Sequence, residues 1–219
     1  MNLPQNHTDI KKRDPKTKRR ILIGLIAVIA FVVLYFLVEP LLDSASRTIG
    51  GNGDGSSHSF YFYPADFEED IYKDATYMGL DRSVYYTDLP SGFTTSLDAY
   101  NYTQFGEAPA LLFLYIHDII EGNCEAYDSY FSEAFLKENK RTERFTKQKL
   151  YNIKIVFLSA EESEGGAYTT YEFAVEYMIH KNNGTFRRDL GSDCTKKQHF
   201  VLTDKSGRLL IESVGTYAN

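Results

Sequence analysis

The sequence predicts an α+β fold carried behind an N-terminal transmembrane helix. Three observations lead there: an unbroken apolar run at residues 21–38, helix-period segments between residues 66 and 139, and strand-period segments from residue 151 onward. Helices first and strands afterwards indicate helices packed on one face of an antiparallel sheet, and argue against a doubly wound parallel sheet, which needs alternation.

Residues 1–20 carry seven Lys and Arg against two Asp, while the whole 219-residue chain has a net charge of −6, so everything after this tail is strongly acidic. Directly behind the basic block, Ile21 to Val38 reads ILIGLIAVIAFVVLYFLV, eighteen residues without a charge, Pro, Asn or Gln. At about 1.5 Å per residue this run covers about 27 Å, close to the hydrocarbon thickness of a bilayer. Apolar on every face, it lacks the polar stripe of a core helix. Ser44-Ala45-Ser46 offers a small-residue cleavage site, but the apolar run is longer than a secretory signal uses and Glu39-Pro40 intervenes. The basic flank holds the N-terminus in the cytoplasm and exports the rest. The expected organisation is a basic cytoplasmic tail (1–20), a transmembrane helix (21–38), a flexible linker (39–59) and an extracytoplasmic domain (60–219). Within the linker, Asn52-Gly53-Asp54-Gly55 resembles the start of a calcium loop, but Tyr63 stands where the closing Glu belongs.

In the exported part, Asp66 followed by Glu69 reads as a capping box, and Phe67, Ile71, Ala75 and Met78 define one face of a helix of about twelve residues that stops at Gly79. SVYYTD and FTTSLD flank a Leu89-Pro90-Ser91-Gly92 turn and predict a hairpin. Ala108 to Glu121 reads as a buried helix ended by Gly122, and Asn123 caps a second helix, CEAYDSYFSEAFLKEN. Tyr151, Ile153, Ile155 and Phe157 alternate with polar positions, as do Tyr171, Phe173, Val175, Tyr177 and Ile179, giving two strands. Asn182-Asn183-Gly184 reads as a reversing turn, and Gln198 to Asp204 and Arg208 to Val214 supply two more strands.

The succession LLFLYIHDIIEGNCEAYDSYFSEAFLKEN, followed by long strands ending in FVLTDKSGRLLIESV, resembles the cystatin-like cone of the nuclear-transport-factor and SnoaL-like superfamily. The resemblance covers residues 105 to 216 and implies a long helix, a small-residue corner and a short helix enclosed by a strongly curved sheet. Secretion-channel scaffolds are similar in layout, with such a domain outside a single span. The segment from Phe60 to Tyr102 is longer than a minimal cone requires.

The chemistry-bearing residues are few. The acidic balance weighs against a nucleic-acid partner. No Gly-x-Ser-x-Gly elbow, P-loop, dinucleotide fingerprint or His-Glu-x-x-His is present, and no motif implies a cofactor or metal. His117 and Asp118 on the buried helix, with Tyr177 on the strongest strand, are the candidates for acid–base chemistry in a cone pocket, although adjacent helical side chains diverge by about 100°. Cys124 and Cys194 either remain separate thiols or pair across a loop of about seventy residues, a bridge contributing about 4 kcal/mol in the chain-entropy account. The acidic run Asp66, Glu68, Glu69, Asp70 and Asp74 reads as a solvated helix face, or else as a site for a cation or a basic partner. Arg187 and Arg188 read as part of a mixed-charge surface loop.

The reading favoured by these features is a membrane-anchored binding or assembly module. Its expected partners are the lipid bilayer and a protein or a second copy of the chain. A small-ligand-sensing pocket and a cone-pocket lyase or isomerase are the alternatives.

Overall fold

The chain separates into two compact units, Met1–His58 and Ser59–Asn219. A computed structural model describes residues 60–139, 144–205 and 207–217, all in the second unit. The basic tail, the apolar run and the linker therefore lie outside the described residues. Among the described residues no helix is long and apolar enough to cross a membrane.

The unit is α+β, with helices on a six-stranded sheet ordered β2-β1-β3-β4-β5-β6. The strands are β1 (Val84–Asp88), β2 (Phe93–Leu97), β3 (Leu150–Glu162), β4 (Thr169–Ile179), β5 (Gln198–Thr203) and β6 (Leu210–Thr216). Neighbours are antiparallel except β1 and β3, which run parallel in the register Val84 to Ile153 through Asp88 to Phe157. The sheet is thus mixed, which corrects the expectation of a purely antiparallel one. The hairpin adds to β3 through β1, and parallel neighbours require a long crossover. The helical stretch between β2 and β3 provides it.

That crossover contains α2 (Glu107–Glu121), α3 (Cys124–Asp128) and α4 (Glu133–Glu138); a short α1 (Ala75–Met78) precedes β1. α2 buries Leu112, Tyr115, Ile116 and Ile119, spaced three and four apart, at 0–2% exposure. Against them lie Ile153 and Ile155 of β3, Phe173, Val175 and Tyr177 of β4, and Phe200 of β5 in one core. Gly122 ends α2 at φ 70°, and a Cβ there would stand 2.9 Å from the Lys147 backbone nitrogen. The corner therefore needs glycine for two reasons, its left-handed backbone and the chain passing behind it. Asn123 caps α3 by accepting from the Ala126 amide, as expected.

The second expected helix is broken in two. Phe131 forms a parallel bridge to Ile211 and the Ser132 amide donates to the Ile211 carbonyl, so the chain leaves the helix to cover the start of the β6 edge. Ser132 then caps α4. The first expected helix also shortens: Asp66 accepts from the Glu68 amide instead of starting a helix, and only a 3₁₀ turn (Ile71–Lys73) and α1 form, capped by Asp70 and Asp74. Ile71 alone of the expected apolar face is buried.

Part of the acidic run is consumed internally, not solvated. The Lys149 ammonium, 6% exposed, donates to Glu69 at 2.6 Å and to Asp74 at 2.9 Å, and Lys181 also reaches Asp74 at 2.9 Å. These bonds, from Lys181 first and Lys149 second, hold the Asp74 carboxyl well below the usual carboxylate range.

The alternation at the start of β3 is interrupted. Register shifts occur between Tyr151 and Lys154 and again between Phe157 and Ser159, with Asn152 at φ 50° inside the first. Leu150 and Ile153 consequently share the inner face, whereas Tyr151 pairs with Met178 and donates its hydroxyl to Asp193. Asn182-Asn183-Gly184 likewise does not join β4 to β5 tightly. It opens a long loop organised by buried Asn182, whose side-chain amide donates to the Arg187 and Leu190 carbonyls. The entering chain lies on this loop: the Tyr63 amide donates to the Asn182 carbonyl at 3.0 Å, the Phe62 ring packs on Gly184 and Phe60 on Gly191.

Two outcomes follow. Gly122→Ala should lower the urea unfolding free energy of the chain by about 1–3 kcal/mol, from backbone strain and the contact behind it. Because the Asp74 pKa is depressed in the folded state, its contribution is complete above about pH 4 and fades as pH falls toward the folded value. Asp74→Asn should therefore be less stable than the parent at pH 7 and show a shallower loss of stability below about pH 4, followed by the near-ultraviolet dichroism of buried Tyr77.

Candidate functional site

Helix α2 packs one stripe on the sheet and leaves the opposite one open. Glu107, Leu114 and His117 are exposed along it, with Leu114 38% accessible. A groove runs along each side of this stripe. The first, about 590 Å³, has Phe113, Ile116 and Ile120 of α2 and Val84 and Leu97 of the hairpin as its apolar surface, with Arg82, Asp98 and His117 adding charge and polarity. The second, about 620 Å³, sets Leu111 and Leu114 opposite Tyr130 and Leu209, with Glu107 and Arg208 also lining it. Tyr102 belongs to the second groove and stacks on Phe113 of the first at 5.0 Å.

The space beneath α2 is filled by rings. Tyr115 meets Phe131 and Phe200 edge-on at 6.0 and 5.5 Å, and Tyr127 meets Phe145 and Phe186 at 5.5 and 5.8 Å. The Tyr115 and Tyr127 hydroxyls are 3.4 Å apart. Burial pushes both phenols, and that of Tyr177, above the ordinary tyrosine range, so all three stay neutral near pH 7.

The three candidates for acid–base chemistry do not converge. His117 opens into the first groove from the solvent side. Asp118 turns away toward the corner, accepting from the Tyr130 hydroxyl at 2.6 Å and the Asn123 side-chain amide at 3.1 Å. Tyr177 is buried in the core, where its hydroxyl accepts from Arg187 at 3.1 Å and donates to Gln198 at 3.2 Å. Divergence of adjacent helical side chains separates the first two, and the 187–189 loop claims the third.

Cys124 and Cys194 are both free cysteines in the structure. The Cys124 sulfur accepts from the Phe145 amide at 3.2 Å, which pins the chain entering β3, while Cys194 is exposed beside Gly191. His180 pairs with Asp193 at 3.2 Å and His199 with Glu172 at 3.4 Å. Among the described residues no serine or cysteine hydrogen-bonds a histidine, and no cluster of three metal-ligating side chains occurs.

Arg187 is the residue whose role the sequence concealed. Instead of decorating a surface loop it is 9% exposed, bridging Tyr177 and Gln198 on one side and gripping Asp189 through two nitrogens at 2.6 and 2.7 Å on the other. That grip, joined by Lys196, holds the Asp189 carboxyl well below the usual range. The Arg-x-Asp spacing of Arg187 and Asp189 was the available signal.

Comparison of the chain with protein-family models, with curated proteins and with solved structures finds no match.

The contrast between His117 and Asp118 is measurable. Asp118→Ala should destabilise the chain by about 1–3 kcal/mol, because it leaves the Tyr130 and Asn123 donors unpaired, whereas His117→Ala should stay within about 0.5 kcal/mol of the parent in urea unfolding.

Proposed function

We propose that the chain is a single-pass membrane protein whose residues 60–219 form an extracytoplasmic binding or assembly module, contacting a protein partner or a second copy through the open face of α2. The observation that carries this reading is the exposed Leu114 stripe between two grooves, on a helix whose other face is sealed against the sheet. Apolar surface in grooves beside an uncovered helix favours contact with another macromolecule. The basic tail, the apolar run at 21–38 and the Gly/Ser-rich stretch at 43–59 support the membrane placement. A cone of the nuclear-transport-factor and SnoaL-like kind is part of the same reading. The register shifts in β3 and between β5 and β6 favour a sheet bent around α2, and the Gly122–Asn123 corner agrees with it. The parallel β1–β3 pair and the hairpin ahead of the long helix are its departures from the minimal layout.

Two measurements test the proposal. Cys194 is exposed, so a membrane-impermeant maleimide should label it on intact cells and Cys194→Ser should abolish the signal; labelling only after permeabilisation would reverse the orientation. A photoreactive phenylalanine analogue replacing Leu114 should give an adduct of discrete mass in cells, twice the chain mass for self-association or another value for a separate partner. Equal adducts from the same analogue at exposed Lys154 on β3, or none from Leu114, would remove the α2 face as the contact.

A further inference from the structure

A third cavity, smaller than the two grooves at about 260 Å³, opens where the β1–β2 hairpin, the start of α2 and the middle of β3 and β4 meet. Its lining includes Tyr86 from β1, Phe105 from the turn before α2, Phe157 from β3, Tyr171 and Phe173 from β4, and Gly106, Ala108 and Pro109 at the start of α2; Phe173 and Tyr86 are buried, so Phe105, Phe157 and Tyr171 supply the accessible aromatic surface. Tyr86 and Phe105 stand 5.8 Å apart and Phe157 and Phe173 5.4 Å apart, in tilted pairs. Phe93, 46% exposed, leans on Phe105 at 5.6 Å and extends the aromatic surface outward. Among the described residues the charged ones lining the cavity are Asp88 and Glu107, with no Lys, Arg or His. Glu107 is exposed, and the Asp88 carboxylate accepts from the Ser91 amide at 3.3 Å.

Half-buried rings and two carboxylates make a specific chemical demand. The faces of aromatic rings attract cations, most strongly when the cation is desolvated. A primary ammonium is strongly hydrated, and apart from the Asp88 and Glu107 carboxylates and the Tyr86 and Tyr171 hydroxyls the aromatic surface cannot replace that water. A quaternary ammonium needs no hydrogen bonds and surrenders little hydration. At about 260 Å³ the cavity is below the roughly 300–1,000 Å³ of pockets for drug-sized ligands, which suits one small headgroup. The carboxylates add attraction for a positive charge and repel a ligand that carries an anion next to it.

We infer that this aromatic cavity is a binding site for a quaternary ammonium cation, with Asp88 and Glu107 selecting cations that have no attached phosphate or carboxylate. The site shares Glu107 with the second α2 groove and does not depend on which side of a membrane the domain occupies. Burial, with Asp88 beside it, keeps the Tyr86 phenol neutral, so the cage keeps its character through the physiological pH range.

The test uses the full chain in detergent, with tetramethylammonium and choline as probes followed by saturation-transfer NMR on their methyl signals. Saturable binding of both is expected, with 3,3-dimethylbutan-1-ol, the neutral isostere of choline, weaker by about tenfold or more, a difference of about 1.4 kcal/mol. Phosphocholine, the lipid-headgroup form of the same cation, should also bind more weakly than choline. Asp88→Asn with Glu107→Gln should weaken choline by about tenfold. Phe105→Leu should do the same while far-ultraviolet dichroism stays unchanged, and Tyr171→Leu provides the second cage variant should Phe105→Leu unfold. Absence of saturation, equal binding of the neutral isostere, phosphocholine binding as tightly as choline, or full binding by folded cage variants would each overturn the assignment.

Discussion

Everything in the folded unit depends on one contact, the seating of α2 in the inner face of the sheet. Leu112, Tyr115, Ile116 and Ile119 lose essentially all solvent contact there. Full burial of such a side chain contributes about 1.5–3 kcal/mol, so the four together approach the roughly 5–15 kcal/mol by which whole domains are stable. The contact also dictates topology. A helix that must lie across the sheet between β2 and β3 carries the chain far enough for β3 to return parallel to β1. The Gly122 corner then turns the chain back under the helix it has just left.

Around that core, buried charge is used as clamps, each with its partners in place. Lys149 is held by two carboxylates and Arg187 by a carboxylate, a phenol and an amide. Removing one partner from such a set strands the other, which is why these positions constrain the fold even though a buried ion pair adds little net stability. The first clamp attaches the segment ahead of β1 to the entrance of β3, and the second attaches the long β4–β5 loop to the sheet. Titratable groups that could have served chemistry are spent on architecture.

Periodicity in the sequence was enough to place α2, its Gly122 stop, the Asn123 cap, the β1–β2 hairpin and the inner face of β4, because in each the local pattern and the tertiary demand agree. It failed where one residue changes the phase. The irregularity at Asn152 moves Tyr151 to the other side of the sheet, and no composition signal marks it. It failed again where a long-range bond overrides local preference, as when Ile211 interrupts the helix between α3 and α4. Of the candidate site, the apolar character of α2 could be read, but not which stripe stays open. Arg187 looked like surface because burial of an arginine depends on distant Gln198 and Tyr177. The aromatic cavity draws its rings from positions spread between Tyr86 and Phe173, which the sheet register and the turn before α2 bring together.

The docking of Phe60 to Tyr63 on the loop at 182–191 has a mechanical meaning. Any pull arriving through the preceding chain falls first on two ring-to-glycine contacts and a single backbone hydrogen bond, at Gly184, Gly191 and Asn182. The Lys149 clamp begins only at Glu69, so these contacts stand ahead of it along the chain. None of the strap residues Phe60 to Tyr63 lines the α2 grooves or the aromatic cavity, so releasing the strap leaves both linings complete.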